Sequence, residues 1–219
     1  MDLKRLHGSS RRRHPFLLTS NRDVLVHASA ASAKTLLRTV LRDRRKALAA
    51  EATDAADRAA ELFPLEQIAG SRVVAGYRAQ GREIDPWPLM RRLADAGARL
   101  ALPAALGHDV PLSFRAYSDG DPLAPDALGI PSPLAGADEV RPDLVITPLL
   151  AFDRTGVRIG QGGGHYDRTL AALRAAGSVF VLGLAYAGQE LAELPSEPHD
   201  QSLNAILTEK AYIEVKKDP

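Results

Sequence analysis

Cysteine is absent from this chain of 219 residues, which removes disulfides, thiolate metal sites and cysteine nucleophiles together. Such usage fits a reducing compartment, and the expected setting is the cytoplasm. Aromatic residues are few, at 5%, which leaves little material for stacking nucleic-acid bases. Long apolar runs are missing too. Leu144 to Ala151 is among the longest, far short of the ~20 residues a spanning helix needs. No run after the basic start has the length and flanks of a secretory signal. Acidic residues are scarce at the start. Residues 1–46 hold 12 Lys/Arg and 3 Asp/Glu, whereas the remainder holds 16 and 24. A basic arm on an acidic body reads as a nucleic-acid tail, an anion-binding lid, or a solvated tail plus a charged helix face. For Met1 to Ala31 the solvated tail is the preferred reading.

What is present is ordinary for a soluble globular protein, with 45% hydrophobic and 25% charged residues. Residues 1–30 carry Arg11-Arg12-Arg13-His14-Pro15 and a Ser/Ala-rich stretch without periodicity. They read as a mobile basic extension, although the composition is also that of a transit peptide. Residues 31–215 read as a single domain. From Ser32, Leu36, Leu37, Val40 and Leu41 recur at helical spacing, with Lys34, Arg38, Arg42 and Arg45 displaced around the cylinder. A second helix is expected over Thr53 to Leu62. Strands are expected over Arg72–Tyr77, Arg99–Leu102 (ended by Pro103), Leu112–Tyr117, Leu144–Thr147, Val179–Leu184 and Leu203–Leu207. Helices are expected from Asp85-Pro86 to Ala96 and from Gly164 to Ala176, and Ser118–Asp143 should be mostly loop. Strands alternating with helices predict an α/β fold: a largely parallel sheet with helices on both faces, preceded by a helical N-terminal segment.

The richest stretch is Ala151 to Leu170, A-F-D-R-T-G-V-R-I-G-Q-G-G-G-H-Y-D-R-T-L. Gly160-Gln161-Gly162-Gly163-Gly164 follows a strand-like run and precedes a helix, so close backbone amides and a helix start converge on one point. That arrangement suits a phosphate cradle, and the alternative reading of a glycine cluster is a flexible turn. It is not G-x-x-x-x-G-K-[ST], and His165 stands where the third glycine of G-x-G-x-x-G would be. Asp167, in the first helical turn, suits either a Mg²⁺ ligand or a complement to the helix dipole. Arg168 serves equally as an ordinary salt-bridge residue.

Here the chain resembles the 5-formyltetrahydrofolate cyclo-ligase family, also called methenyltetrahydrofolate synthetases, whose signature is similar to A-F-D-x-x-G-x-R-[LI]-G-x-G-x-G-[YH]-Y-D-R. Ala151-Phe152-Asp153, Gly156, Arg158-Ile159-Gly160, Gly162, Gly164 and Tyr166-Asp167-Arg168 fall in register. Lys34-x-x-x-Arg38, Glu83-Ile84-Asp85, Gly129-Ile130-Pro131-Ser132-Pro133, Gly183-Leu184-Ala185-Tyr186 and His199-Asp200 resemble further family segments in the same order, from about Lys34 to Glu209. Departures fall at Ser132, where many relatives carry Glu or Gln, and at Pro86, Gln161 and His165.

The resemblance implies ATP-dependent conversion of 5-formyltetrahydrofolate to 5,10-methenyltetrahydrofolate, with release of ADP and phosphate. Phosphorylation makes the formyl oxygen a leaving group, and N10 then closes the ring without a protein nucleophile. It further implies ATP contacts from Lys34, Arg38, Arg158, Ile159, Gly160, Gln161, Gly162, Gly163, Gly164, His165 and Tyr166. Lys34, Arg158 and Tyr166 would be catalytic, Glu83 and Tyr166 would bind folate, and Asp167 and Asp200 would hold Mg²⁺. A monomer without nucleic-acid or membrane partners is expected. Outside that context Glu83 reads as a helix N-terminal residue, and Lys34 and Arg38 as a solvated basic face. His199 reads as a local hydrogen-bonding residue, and Phe152 and Trp87 as packing residues. The competing reading is a catalytically silent relative that still binds folate or nucleotide.

Overall fold

The computed structural model describes residues 30–68 and 72–216. The basic extension expected over residues 1–30 falls outside them except for its last residue. Helix α1 spans Ala30–Glu51 and α2 Ala55–Leu62. Strand β1 is Val73–Ala75, α3 is Trp87–Asp95, and the strands β2 (Arg99–Ala104) and β3 (Ser113–Ala116) follow. A short pair, β4 (Leu123–Pro125) and β5 (Pro131–Pro133), precedes β6 (Leu144–Pro148). Next come β7 (Ala151–Phe152), β8 (Arg158–Ile159), α4 (His165–Ala176), β9 (Phe180–Leu184), β10 (Ala205–Leu207) and β11 (Tyr212–Glu214).

Seven strands form one sheet in the order β11-β10-β9-β6-β1-β2-β3. Its inner neighbours are parallel, and β3 and β11 close the two edges antiparallel. The apolar run at β6 lies in the middle, where a strand covered on both faces belongs. Its alternation sends Leu144 and Ile146 towards α2 and α3, with Phe63, Leu89, Met90 and Leu93. Val145 faces the other way, towards Leu170 on α4. This is the largely parallel, two-faced α/β sheet expected from the alternating pattern.

Two expectations are corrected. Strand β2 runs through Pro103 to Ala104. Strand β1 ends opposite Ala101, so Pro103 has no β1 neighbour awaiting an amide and pairs only with Phe114 of β3. The segment Ser118–Asp143 contains the β4–β5 ladder. Asp126 turns the chain between those strands, accepting hydrogen bonds from Leu128 N (2.8 Å) and Ile130 N (3.0 Å).

Helix α1 is also not oriented by hydrophobicity. Leu36 and Val40 are 57% and 66% exposed, whereas Lys34, Leu41 and Arg45 are buried. Leu41 packs on Leu150, Ala151, Ile159 and Leu194, against the β7–β8 hairpin. Asp153 shapes that hairpin by accepting hydrogen bonds from Thr155 N and Val157 N. Gly156 supplies the positive φ of 87° that its turn requires. The same hairpin delivers the chain into the glycine loop, so α1 and the loop are brought face to face.

Candidate active site

A cavity of about 410 Å³ opens beside the C-terminal ends of β1, β2 and β6, lined there by Tyr77, Pro103 and Pro148. Parallel sheets present ligands at this end. Lys34 and Arg38 of α1, Glu83, the whole run from Arg158 to Asp167, and Asp200 complete the wall. Every residue nominated from the sequence for ATP, folate or metal therefore borders one cavity.

The glycine loop is clamped from α1. Arg38 Nε donates to Gly160 O (3.1 Å), and Arg42 donates to both Gln161 Oε1 (3.1 Å) and Gln161 O (3.3 Å). Gly164 caps α4 in the left-handed region, and no side chain caps that helix start. The first amides of α4 thus lack a side-chain acceptor beside a cation-rich wall, an arrangement suited to an anion. Arg158 is buried, with Nη2 2.8 Å from Asp167 Oδ1 and Nη1 donating to Gln201 O.

Lys34 is not part of a solvated face. Its ammonium sits between Glu197 Oε2 (2.9 Å) and Asp200 Oδ2. Burial pulls the Lys34 pKa down, but the hydrogen bonds and charges of Asp200 and Glu197 outweigh it and hold the group above its ordinary value. For Asp200, burial works upward, yet the Lys34 hydrogen bond and charge win and its pKa is depressed.

Glu83 does not lie in a helix terminus. Helix α3 starts at Trp87, and Glu83 lies in the segment before it. Its carboxylate is bound by Arg45 Nη1 (3.3 Å) and by Gln80 N (2.9 Å). The Tyr166 phenol is pushed well up, by burial first and then by the negative charge of Glu83, so it remains a proton donor at neutral pH. Trp87 and Phe152 are packing residues, as expected: Trp87 meets Tyr117 edge-on at 5.7 Å, and Phe152 is fully buried.

Asp167 and Asp200 both border the cavity. Glu197, His199 and Asp200 come together as a group of three, with ligand atoms within 4.8 Å of one another. Asp167 is held by Arg158 and by Gln201 N (3.0 Å). Sequence reasoning did not single out Glu197. The available signal was Glu197-Pro198-His199-Asp200, three titratable residues crowded around a proline.

The model of the 5-formyltetrahydrofolate cyclo-ligase family matches residues 30–209. The chain belongs to that family. A cyclo-ligase of Mycolicibacterium smegmatis is 32% identical over 188 residues, covering 82% of this chain and 95% of the relative. One from Escherichia coli is 33% identical over 179 residues, covering 77% and 96%. The solution structure of the Aquifex aeolicus 5,10-methenyltetrahydrofolate synthetase matches with a TM-score of 0.65 at 27% identity, covering 85% of this chain and 94% of that one. The stretch from Ala151 to Arg168 spans the β7–β8 hairpin, the glycine loop and the first turn of α4, and its part from Arg158 to Asp167 lines the cavity. Among the described residues, no helix is long and apolar enough to cross a membrane.

Proposed function

We propose that this chain uses ATP to convert 5-formyltetrahydrofolate to 5,10-methenyltetrahydrofolate, releasing ADP and phosphate. One observation carries the reading: Glu83, the uncapped start of α4 and the cations Lys34, Arg38 and Arg158 border a single cavity. Glu83 is the folate anchor, because a carboxylate accepts paired hydrogen bonds from the pterin amide and its exocyclic amine. Gly160 to Gly164 and the α4 amides wrap the triphosphate. Arg38, Arg158 and Lys34 offset its charge, Lys34 by exchanging a carboxylate partner for phosphate oxygen.

The donor set fits a hard cation, since Asp167, Asp200 and Glu197 all offer carboxylate oxygens at the cavity wall. These residues would hold Mg²⁺, which when bound spreads the charge of the transferring phosphoryl group. The chain's own task is alignment. The formyl oxygen bonds to the γ-phosphorus as the bond to ADP breaks. N10 then bonds to the activated carbon, loses its proton, and expels phosphate. Tyr166, protonated and close to both substrates, can donate a hydrogen bond but is not needed as a nucleophile. A monomer acting in the cytoplasm, with residues 31–215 as one catalytic domain, completes the reading.

A silent folate binder is the competing reading. The intact set Arg158, Asp167 and Asp200 argues against it. Mixing protein, Mg-ATP and 5-formyltetrahydrofolate should produce the near-ultraviolet band of the methenyl product. A flat trace with tight folate binding would establish the silent binder instead.

A further inference from the structure

We propose that Arg45 is a positioning residue for folate, acting through Glu83; this rests on the cyclo-ligase reading of the cavity. Arg45 lies on the inward stripe of α1, with its side chain 8% exposed, and it does not line the cavity. It therefore acts on a ligand only through a neighbour. That neighbour is Glu83, itself 6% exposed, whose Oε1 lies 3.3 Å from Arg45 Nη1.

The carboxylate is held from several sides. Arg45 Nη1 also donates to Leu149 O (3.4 Å), which ties the guanidinium to the segment following β6. Gln80 N fixes Glu83 Oε2 (2.9 Å). The Tyr77 hydroxyl donates to the carbonyl of Ile84 (2.6 Å), immediately after Glu83. A glutamate side chain has several rotatable bonds, and an unanchored one must be ordered when the ligand arrives. Here both oxygens are oriented beforehand, so the pterin edge meets a carboxylate already in place.

Arg45 Nε is buried without a hydrogen-bond partner. The contacts the guanidinium makes to Glu83 and Leu149 are those of Nη1. One nitrogen thus reaches both acceptors, and a lysine at this position would offer the charge on a flexible stem without the rigid guanidinium plane that fixes that nitrogen. The pair is a recognition device: α1 supplies Lys34 and Arg38 for one substrate and sets the anchor for the other.

The test compares Arg45→Met and Arg45→Lys with the wild type in the full chain. Binding of 5-formyltetrahydrofolate is measured by calorimetry, KM for each substrate by near-ultraviolet rate, and folding by circular dichroism. Arg45→Met is expected to raise the folate Kd and KM by roughly 10-fold or more while ATP KM stays within about twofold. Arg45→Lys should recover part of the loss. If wild type shows no turnover, the cyclo-ligase reading fails. If wild type turns over and Arg45→Met binds folate as well as wild type does, the inference fails. Equal losses for both substrates would also overturn it, because they mark a merely structural role. Should Arg45→Met not fold, Arg45→Lys decides: a selective rise in folate Kd supports the inference, and an unchanged or non-selective effect refutes it.

Discussion

Arg158 Nη2 and Asp167 Oδ1, the charged residues on either side of the glycine loop, meet at 2.8 Å. The pair closes the loop at its base, and Gln201 N adds a second contact, at 3.0 Å, to the same Asp167 oxygen. Asp167→Asn keeps an acceptor for both neighbours while removing the charge. The variant should fold and bind folate as wild type does, yet lose turnover by roughly 100-fold or more. Circular dichroism, calorimetry and the near-ultraviolet rate measure the three quantities. Unchanged turnover would take Asp167 out of the metal-binding set.

The Lys34–Asp200 pair makes a pH prediction. Asp200 is depressed below its ordinary 3.8, so its stabilisation is complete above 3.8 and is lost as pH falls through the lower folded value. Lys34 is raised above its ordinary 10.5, so its share is complete below 10.5 and is lost as pH climbs through the higher folded value. The Tm difference between wild type and Lys34→Met should therefore be level through the neutral range and shrink towards both extremes. A thermal-melt series against pH checks this. A difference that does not respond to pH would mean that Lys34 contributes by packing alone. In the same variant the ATP KM should rise.

Much of this architecture was legible in the chain because short apolar runs bounded by turn residues alternate with helical segments, as a parallel sheet requires. The strand expected over Leu144–Thr147 is observed as Leu144–Pro148, and the helix expected from Gly164 to Ala176 is observed as His165–Ala176. The glycine loop was legible because no packing requirement explains its composition. The orientation of α1 was not, because a buried stripe holding Lys34 and Arg45 violates the hydrophobic periodicity that sequence reading relies on. Leu36 and Val40 mark the wrong face for the same reason. The β4–β5 pair was hidden by its prolines and by an Asp126 turn with no alternating pattern. Glu197 was hidden because its relevance depends on Lys34, which is 163 positions distant in the chain.

Two glycines separate strain from occlusion. A Cβ on Gly160 meets no atom within 4 Å, whereas one on Gly162 lies 3.2 Å from Arg38 Nε at a φ of +108°. Gly160→Ala should keep wild-type Tm and raise ATP KM, since the methyl group occupies open space at the cavity wall. Gly162→Ala should lower stability by about 1 kcal/mol or more, as alanine does at positive φ. Thermal melts and ATP titrations distinguish them, and the reverse ranking would contradict the loop geometry.

Glu83→Ala should weaken folate binding more than ATP binding, by roughly 10-fold or more for the loss of a charged hydrogen-bond acceptor. Calorimetric titration of each ligand checks the order. A larger loss for ATP would exchange the two ends of the cavity.

The most direct measurement follows ADP, phosphate and methenyltetrahydrofolate together in one reaction of wild-type protein with Mg-ATP and 5-formyltetrahydrofolate. All three should accumulate in equal amounts. Methenyl product formed without matching ADP, or ADP formed without methenyl product, would contradict activation of the formyl oxygen by phosphoryl transfer in this cavity.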